Sequence, residues 1–199
     1  MSTGGQGRPA GLVAKASPER GGTNVAQLVP SGPEFSHDVL HDGLTGALYR
    51  AHRRVTIVTP YFIPTEPLTI ALLSAARRGV DVRLVLPEKS NQWTTDLARG
   101  VYVRALAREG VTVLRYQPGM IHAKAGVIDD TAWVGTANFD IRSMQLNFET
   151  ALFVFDKQSA RKIADWCKTL ESDCFEGPKK SGIFRRSVES LLRLGAPLL

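Results

Sequence analysis

The run MIHAKAGVIDD carries side chains whose types and spacing suit chemistry at phosphorus. His122 and Lys124 are separated by one residue, and Asp129 follows in the same run. Small and β-branched residues dominate it, so we predict a strand over residues 122–129. Alternate side chains of a strand share a face, which would place the imidazole and the ammonium about 7 Å apart along the backbone. Such a pair could attack phosphorus and bind phosphate oxygens. Alone, it is more simply explained as a half-buried strand with a chance histidine and a solvated lysine.

Two downstream segments favour the chemical interpretation. Gly135-Thr136-Ala137-Asn138 is followed by Asn147-Phe148-Glu149. With these segments, the chain resembles the phospholipase D superfamily, whose signature is H-x-K-x4-D followed by G-[ST]-x-N. The resemblance implies that His122 is the nucleophile and that Lys124 and Asn138 bind the phosphate oxygens.

The same resemblance assigns the remaining positions of the site. Glu149 would hydrogen-bond the second ring nitrogen of the nucleophile, and Thr136 stands where relatives often have serine. Asp129 would have a structural role, pairing with a basic residue. Arg142 would either bind a second phosphate or form a salt bridge to Asp129 or Asp140. The predicted catalytic set is His122, Lys124, Asp129, Asn138 and Glu149, and the predicted substrate-binding residues are Thr136 and Arg142.

Elementary chemistry supports these roles beside the resemblance. A neutral imidazole, with an unperturbed pKa of about 6.5, is a usable nucleophile near pH 7. A carboxylate on its other nitrogen would fix the tautomer and stabilise the cation formed on attack. An ammonium and an amide can stabilise the phosphate oxygens, so we expect neither a metal nor another cofactor. Taken singly, Asn138 is also a typical turn residue and Glu149 an exposed strand-edge carboxylate. Together with the histidine–lysine pair, we favour a site.

Further blocks resemble the bacterial cardiolipin synthases within that superfamily. They agree in order over roughly residues 27–199 and correspond to the second catalytic half of those enzymes. The blocks are residues 28–33, 59–64, 78–82, 140–143, 146–149 and 195–199. The resemblance implies phosphatidyl transfer from one phosphatidylglycerol to another, which gives cardiolipin and glycerol through a phosphohistidine. Between two prolines, Tyr61 and Phe62 either line a lipid groove or belong to the core.

The chain has one such motif, whereas the superfamily active site uses two. His37, His41 and His52 each lack a lysine two residues later. Three explanations remain open: a symmetric homodimer with His122 opposite its own copy, a separately encoded second half, and an inactive half-domain or partner subunit. Metal-independent hydrolysis, by a phospholipase D or a nuclease homodimer, is the alternative activity, because single-motif members of the superfamily can cleave DNA.

Charge and composition limit the classes of possible binding partner but do not choose among them. The net charge of +6 and the isoelectric point of about 9.6 favour acidic partners. Anionic phospholipid headgroups, such as phosphatidylglycerol, and nucleic acids both qualify. Cys167 and Cys174 are predicted to be reduced thiols about 10 Å apart on one helix face. No secretory signal or membrane span is recognised, so we expect a cytoplasmic protein, peripheral at the inner face of the bacterial membrane.

Hydrophobic periodicity predicts an α/β fold in one domain. The unit helix–Gly–Val-x-Val occurs twice, which indicates strand–helix units on a largely parallel sheet. The resemblance implies a phospholipase D-like α/β/α sandwich with a mixed, largely parallel central sheet. We expect a disordered segment at 1–25, the catalytic domain at 26–177 and a basic amphipathic tail at 178–199, which either lies in a bilayer interface or docks on the domain's own core. The predicted helices are 37–54, 66–78, 93–109 and 157–171, and the predicted strands are 55–59, 80–86, 111–115, 122–129, 131–135 and 149–155.

Overall fold

A mixed β-sheet forms the centre of the computed structural model, which describes residues 25–35 and 37–179. Within these residues the strands are β1 (Ala26–Ser31), β2 (Arg54–Val58), β3 (Phe62–Ile63), β4 (Asp81–Pro87), β5 (Thr112–Tyr116), β6 (Ala125–Ile128), β7 (Thr131–Gly135), β8 (Phe139–Asp140), β9 (Glu149–Val154) and β10 (Cys174–Glu176). The helices are α1 (Val39–Arg50), α2 (Glu66–Arg77), α3 (Trp93–Arg108), α4 (Ile141–Gln145) and α5 (Lys157–Glu171).

The repeated helix–strand unit of the sequence builds the parallel part of the sheet. Gly79 and Gly110 follow α2 and α3 with φ of +83° and +92°, a left-handed conformation that ends a helix and that glycine adopts without strain. The chain then enters β4 and β5, which lie parallel to β2 in the order β2-β4-β5. The full order is β1-β9-β7-β6-β2-β4-β5-β10, and its other neighbouring strands are antiparallel. The predicted mixed sheet is confirmed, with parallel pairing confined to β2, β4 and β5.

Apolar side chains cover both faces of this sheet, so the predicted α/β/α sandwich is confirmed. On one face, the main core contains Leu44 and Leu48 of α1 together with Ile57 of β2. On the other face, α5 places Ala160 and Cys167 against buried residues of β2, β6 and β7. Alternating side chains of the inner strands thus serve two cores, as expected for strands that are covered on both sides.

Several predicted elements have different bounds in the structure, and some were not predicted. The helix expected over 37–54 spans Val39–Arg50, and the strand expected over 122–129 begins only at Ala125. The strands β1, β3, β8 and β10 and the short helix α4 were not predicted. Two of these strands have two residues each, and β1 contains Pro30, which removes a backbone donor and is tolerated at a sheet edge. The predicted segments 1–25 and 178–199 lie outside the described residues, except for Val25, Pro178 and Lys179.

The two cysteines do not share a helix face, contrary to prediction. Cys167 lies in α5, whereas Cys174 begins β10, because the helix ends at Glu171. Both are free thiols, and burial raises the pKa of Cys167 to about 12 and that of Cys174 to about 11. Neither thiol is therefore activated at neutral pH. Within residues 25–35 and 37–179, no helix is both long enough and apolar enough to cross a membrane.

Candidate active site

One edge of the sheet gathers the predicted site residues. Val58 at the end of β2 pairs with Ala125 at the start of β6, and Ala125 pairs in turn with Val134 near the end of β7. On the far side of β7, Gly135 pairs with Ala151 of β9. Residues just beyond these strand ends must therefore be neighbours, although they are far apart in sequence. This edge also holds the carboxyl ends of the parallel strands, where ligands of open α/β sheets commonly bind.

The predicted nucleophile and its lysine are in direct contact. Lys124 Nζ lies 3.1 Å from Nδ1 and 3.3 Å from Nε2 of His122, and it donates to the His122 carbonyl oxygen at 2.9 Å. The two residues precede β6 on irregular backbone, so the prediction that they share a strand face was wrong. The first hydrogen bond to the neighbouring strand is at Lys124, whose carbonyl accepts from the backbone N–H of Gly135 at the end of β7. The two side chains nevertheless meet at hydrogen-bonding distance.

Electrostatics at Lys124 reflect its half-buried position. Burial lowers the pKa of its ammonium below the ordinary lysine value, and the carboxylates of Glu149 and Asp140 partly oppose that effect. The ammonium can only donate hydrogen bonds, and an imidazole has at most one nitrogen that can accept, so only one of the two ring contacts can be a hydrogen bond. The exposed imidazole lies beside this cation.

Glu149 belongs to the same cluster but does not contact the imidazole as predicted. One of its carboxylate oxygens accepts a hydrogen bond from the Thr136 hydroxyl, and the other accepts from the Asn147 amide at 3.3 Å. The Thr136 oxygen in turn accepts from the Thr150 backbone N–H at 3.0 Å. In the part of the chain that the structure describes, no hydrogen bond joins Glu149 to His122. The carboxylate acts on the site through its charge near Lys124 and through its bond to Thr136.

Asn138 lies at the same edge, between β7 and β8. Its amide nitrogen donates to the Ser143 hydroxyl at 3.2 Å, while its buried oxygen has no partner among the described residues. The backbone N–H of Ser143 is held by the Asp140 carboxylate at 2.7 Å, at the start of α4. Buried polar atoms are nearly always paired, so the Asn138 oxygen is an exception; it can only accept, and the amide nitrogen is the atom that could donate to an anion.

Asp129 lies at the opposite end of β6, away from this cluster. Its carboxylate accepts hydrogen bonds from the backbone N–H groups of His52, Arg53 and Arg54 at 2.8–3.1 Å. Burial works against ionisation, but these donors outweigh it, so the pKa of the Asp129 carboxyl lies below its usual value. The expected partner was a basic side chain, yet the Arg53 guanidinium binds Asp130 instead, at 2.6 Å. Asp129 is therefore placed to hold the loop before β2, and not to touch substrate.

Arg142 is exposed in α4, next to the Asn138 segment. Neither of the salt bridges considered for it, to Asp129 or to Asp140, forms within the described residues. Asp129 binds backbone N–H groups at the far end of β6, and Asp140 caps α4. The guanidinium is therefore open to an anion in solution.

Sequence reasoning left open whether the aromatic pair after β2 lines a lipid groove or belongs to the core, and it did not predict that this segment lies against the site. The block 59–64 and the block around Phe139 pair as β3 and β8, so two motifs distant in sequence are neighbours. Phe62 is fully buried and stacks on Phe139 at 6.4 Å, which places it in the core. Tyr61 is half-buried, and its ring lies 6.4 Å from that of His122. The sequence signal for this segment was the pair of prolines, Pro60 and Pro64, which restrict the backbone on either side of the two aromatic residues.

A groove of about 440 Å³ opens beside Lys124, between the sheet and α5. Its walls are mostly apolar and are formed by Ala123, Lys124, Ala125, Val134, Gly135, Lys162, Ile163 and Trp166. In the described ranges, no group of three His, Cys, Asp or Glu side chains is arranged to hold a metal ion. The groups described at this edge that can bind an anion are the Lys124 ammonium, the Arg142 guanidinium and the Asn138 amide.

Comparison with known proteins agrees with this geometry. The family described as "Cardiolipin synthase, PLD-like domain" matches residues 44–170. The chain belongs to this family. Cardiolipin synthase A of Pseudomonas aeruginosa is 40% identical over 172 residues, which cover 86% of this chain and 34% of that protein. This phospholipase D-like chain thus spans about a third of the length of that relative.

Two solved structures share the fold of this phospholipase D-like chain. Nuc from Salmonella typhimurium, described as a phospholipase D family member, superposes with a TM-score of 0.65 at 23% identity, over 78% of this chain and 99% of that one. Phosphatidylserine synthase from Haemophilus influenzae superposes with a TM-score of 0.68 at 15% identity, over 88% of this chain and 48% of that one. At these identities the likeness concerns the fold alone.

Proposed function

We propose that this chain is one catalytic half of a phosphatidyltransferase of the cardiolipin synthase type. His122 attacks the phosphorus of phosphatidylglycerol, glycerol leaves with a proton supplied from the second motif, and a phosphohistidine forms. The hydroxyl of a second phosphatidylglycerol then loses its proton to that same group and displaces His122, which yields cardiolipin. The observation that carries the proposal is the position of the Lys124 ammonium, 3.1 and 3.3 Å from the two ring nitrogens of His122.

The other residues of the edge stabilise charge in this scheme. Lys124 and the Asn138 amide bind the non-bridging oxygens, whose negative charge must be neutralised as His122 approaches. The Glu149 carboxylate favours the charged form of Lys124, since it opposes the effect of burial on the lysine pKa. Arg142 is a candidate for a second phosphate because its guanidinium is exposed beside the Asn138 segment.

An exposed apolar face supports completion of the site by a second domain. Leu28 of β1, Leu152 of β9 and Val134 of β7 are cross-strand neighbours, exposed by 66%, 37% and 38%. They lie on the sheet face that α5 covers only in part, and the groove beside Lys124 continues the same surface to Trp166 of α5. We infer that the domain with the second motif, either a second copy or a separate half, packs on this face. The length of the relatives leaves room for such a domain.

The proposed substrate implies a place of action. Phosphatidylglycerol lies in membranes, and the net charge of +6 favours an anionic lipid surface. We propose that the protein works as a peripheral protein at the cytoplasmic face of the bacterial inner membrane. The predicted amphipathic tail, which would assist such contact, lies outside the described residues.

A second candidate is metal-independent phosphodiester hydrolysis by a homodimer, by a phospholipase D or a nuclease. The specific observation in its favour is the structural match to Nuc, because it extends over 99% of that chain. A basic chain would also bind nucleic acid. The third candidate is an inactive half-domain that serves as a partner subunit of a complete enzyme.

One experiment separates the three candidates. The purified chain is incubated with labelled phosphatidylglycerol in vesicles and, separately, with plasmid DNA, both in EDTA. Cardiolipin formation that is lost in His122→Ala but retained in His52→Ala, an exposed histidine bound near Asp129, supports transfer. Phosphatidic acid without cardiolipin indicates a phospholipase D, and nicked plasmid without lipid conversion indicates a nuclease. No product in either assay, from the chain alone or with a coexpressed second-motif domain, would contradict both enzymatic proposals.

A further inference from the structure

Tyr61 lies beside the proposed nucleophile. Its ring centroid is 6.4 Å from that of His122, and the two ring planes meet at 86°. Edge-to-face contacts between rings are favourable at separations of about 4.5–7 Å. His122 is exposed and lies on irregular backbone before β6, so its own surroundings restrict the imidazole weakly. Among the described side chains, Lys124 is the group that hydrogen-bonds the ring.

A phosphate that enters the site would compete for the Lys124 ammonium. One donor of the ammonium is used by the His122 carbonyl, and at most one ring nitrogen can accept another. A phosphate is a charged acceptor and forms the stronger hydrogen bond, so its approach weakens the bond from the ammonium to the imidazole. The contact with Tyr61 does not require the ammonium and can remain.

Tyr61 is fixed at both ends. The buried Thr59 hydroxyl donates to the Tyr61 carbonyl at 3.0 Å. The oxygen of that Thr59 hydroxyl also accepts a hydrogen bond from the Phe139 backbone N–H at 3.3 Å. Thr59 thereby ties the Tyr61 backbone to the segment that carries Asn138. At its other end, the Tyr61 hydroxyl donates to the Asn91 side-chain oxygen, in the loop after β4. The ring is therefore anchored to two separate parts of the sheet edge.

We propose that Tyr61 is a positioning residue, which holds the imidazole of His122 at the angle needed for attack, and that Asn91 anchors Tyr61 in this role. The inference rests on the proposed function for what His122 does, but it adds a residue to which that proposal gives no role. Positioning of a reacting group within a fraction of an ångström controls rate more than it controls substrate affinity. A loss of Tyr61 should therefore lower kcat more than it changes KM.

The first test measures the imidazole directly and needs no catalysis. In the full chain with isotopically labelled histidine, the ring signals of His122 are assigned by their loss in His122→Ala. Tyr61→Leu should move these signals, because the aromatic neighbour is gone, while Tyr61→Phe, which keeps the ring but loses the bond to Asn91, should move them only slightly. Asn91→Ala should move them slightly, and Tyr49→Leu, at an exposed position of α1, should not move them. Unchanged His122 signals in both Tyr61→Leu and Asn91→Ala would overturn the proposal.

The second test is kinetic and uses the phosphatidylglycerol assay. Tyr61→Leu should lower kcat by about tenfold with KM within about twofold of wild type, and Tyr61→Phe should recover most of the rate. A raised KM at unchanged kcat would instead assign Tyr61 to substrate binding and overturn the positioning role. If Tyr61→Leu does not fold, as judged by circular dichroism, Asn91→Ala and Tyr61→Phe carry both tests. An inactive wild-type chain would refute the proposed function, and the ring signals would still decide the role of Tyr61.

Discussion

The ammonium of Lys124 contacts both ring nitrogens of His122, at 3.1 and 3.3 Å. An imidazole has at most one nitrogen that can accept, so one of these two contacts at a time is a hydrogen bond. In the proposed reaction the same ammonium would neutralise the oxygens of the attacked phosphate. One side chain would thus contact both the proposed nucleophile and the substrate.

Replacement of Lys124 by glutamine should remove most of the activity. The neutral amide can still donate a hydrogen bond, but it supplies no charge to the phosphate oxygens, and loss of one such group typically lowers kcat by about 10²–10³-fold. Lys157→Gln is the matched control, because that lysine is 81% exposed beside Asp130, at the other end of β6 and β7. The measurement is the initial rate of cardiolipin formation at saturating phosphatidylglycerol. A Lys124→Gln rate within threefold of wild type would show that this charge is not used.

The pH dependence should report the environment of Lys124. Burial lowers the pKa of its ammonium, so the positive charge is present at neutral pH and is lost, as pH rises, earlier than in an exposed lysine. The alkaline decline of kcat/KM should therefore begin below the pH at which ordinary lysines titrate. Glu149→Gln removes a carboxylate that raises this pKa, so the decline should move to still lower pH. Glu66→Gln, at the start of α2, is the control. An alkaline limb that stays in place in Glu149→Gln would refute the coupling.

Much of the fold could be predicted because local patterns determine it. The glycines after α2 and α3 end those helices, and the Val-x-Val runs that follow become inner strands of the sheet. What could not be predicted depends on strand order. Thr136 and Glu149 bond to each other because β7 and β9 are neighbours, and no local pattern in either segment reveals that pairing. The contact of Tyr61 with His122 has the same origin, since it requires β2 and β6 to lie side by side.

The start of β6 shows a second limit of sequence reasoning. Residues before Ala125 have the composition of a strand, yet the strand begins only at Ala125. Periodicity describes what a segment can form, whereas the number of strand partners available at that point determines what it does form. The residue types of the site were therefore predictable, and the exchange of hydrogen bonds among them was not.

Asp129 should prove structural when stability and activity are measured separately. Asp129→Ala removes the acceptor for three backbone N–H groups and should lower the free energy of unfolding by about 1–3 kcal/mol. Asp129→Asn should cost less, because asparagine keeps an acceptor and tolerates the φ of +53°. The control Asp130→Ala, which removes an exposed salt bridge to Arg53, should cost clearly less than Asp129→Ala. Urea unfolding gives these values.

The same carboxylate should make stability depend on acid. The folded-state pKa of Asp129 is lowered, so its contribution is present above the unfolded value of about 3.9 and is lost as pH falls through the folded value. The difference in unfolding free energy between wild type and Asp129→Asn should therefore shrink below pH 4. The activity of the folded Asp129→Asn variant should stay near that of wild type. A large fall in its kcat, with unfolding unchanged, would contradict a structural role.

The apolar face of β1, β9 and β7 should mediate assembly with the second-motif domain. If that domain is a second copy, the chain should sediment as a dimer, and the double variant Val134→Glu with Leu152→Glu should sediment as a monomer. Buried carboxylates without partners are costly, and these two would lie in adjacent strands at the centre of the interface. Ile70→Glu, at an exposed position of α2, should leave the dimer intact. The double variant should also lose cardiolipin formation while its circular dichroism is unchanged. A wild-type monomer with full activity, or a double variant that still sediments as an active dimer, would exclude this surface as the one that completes the site.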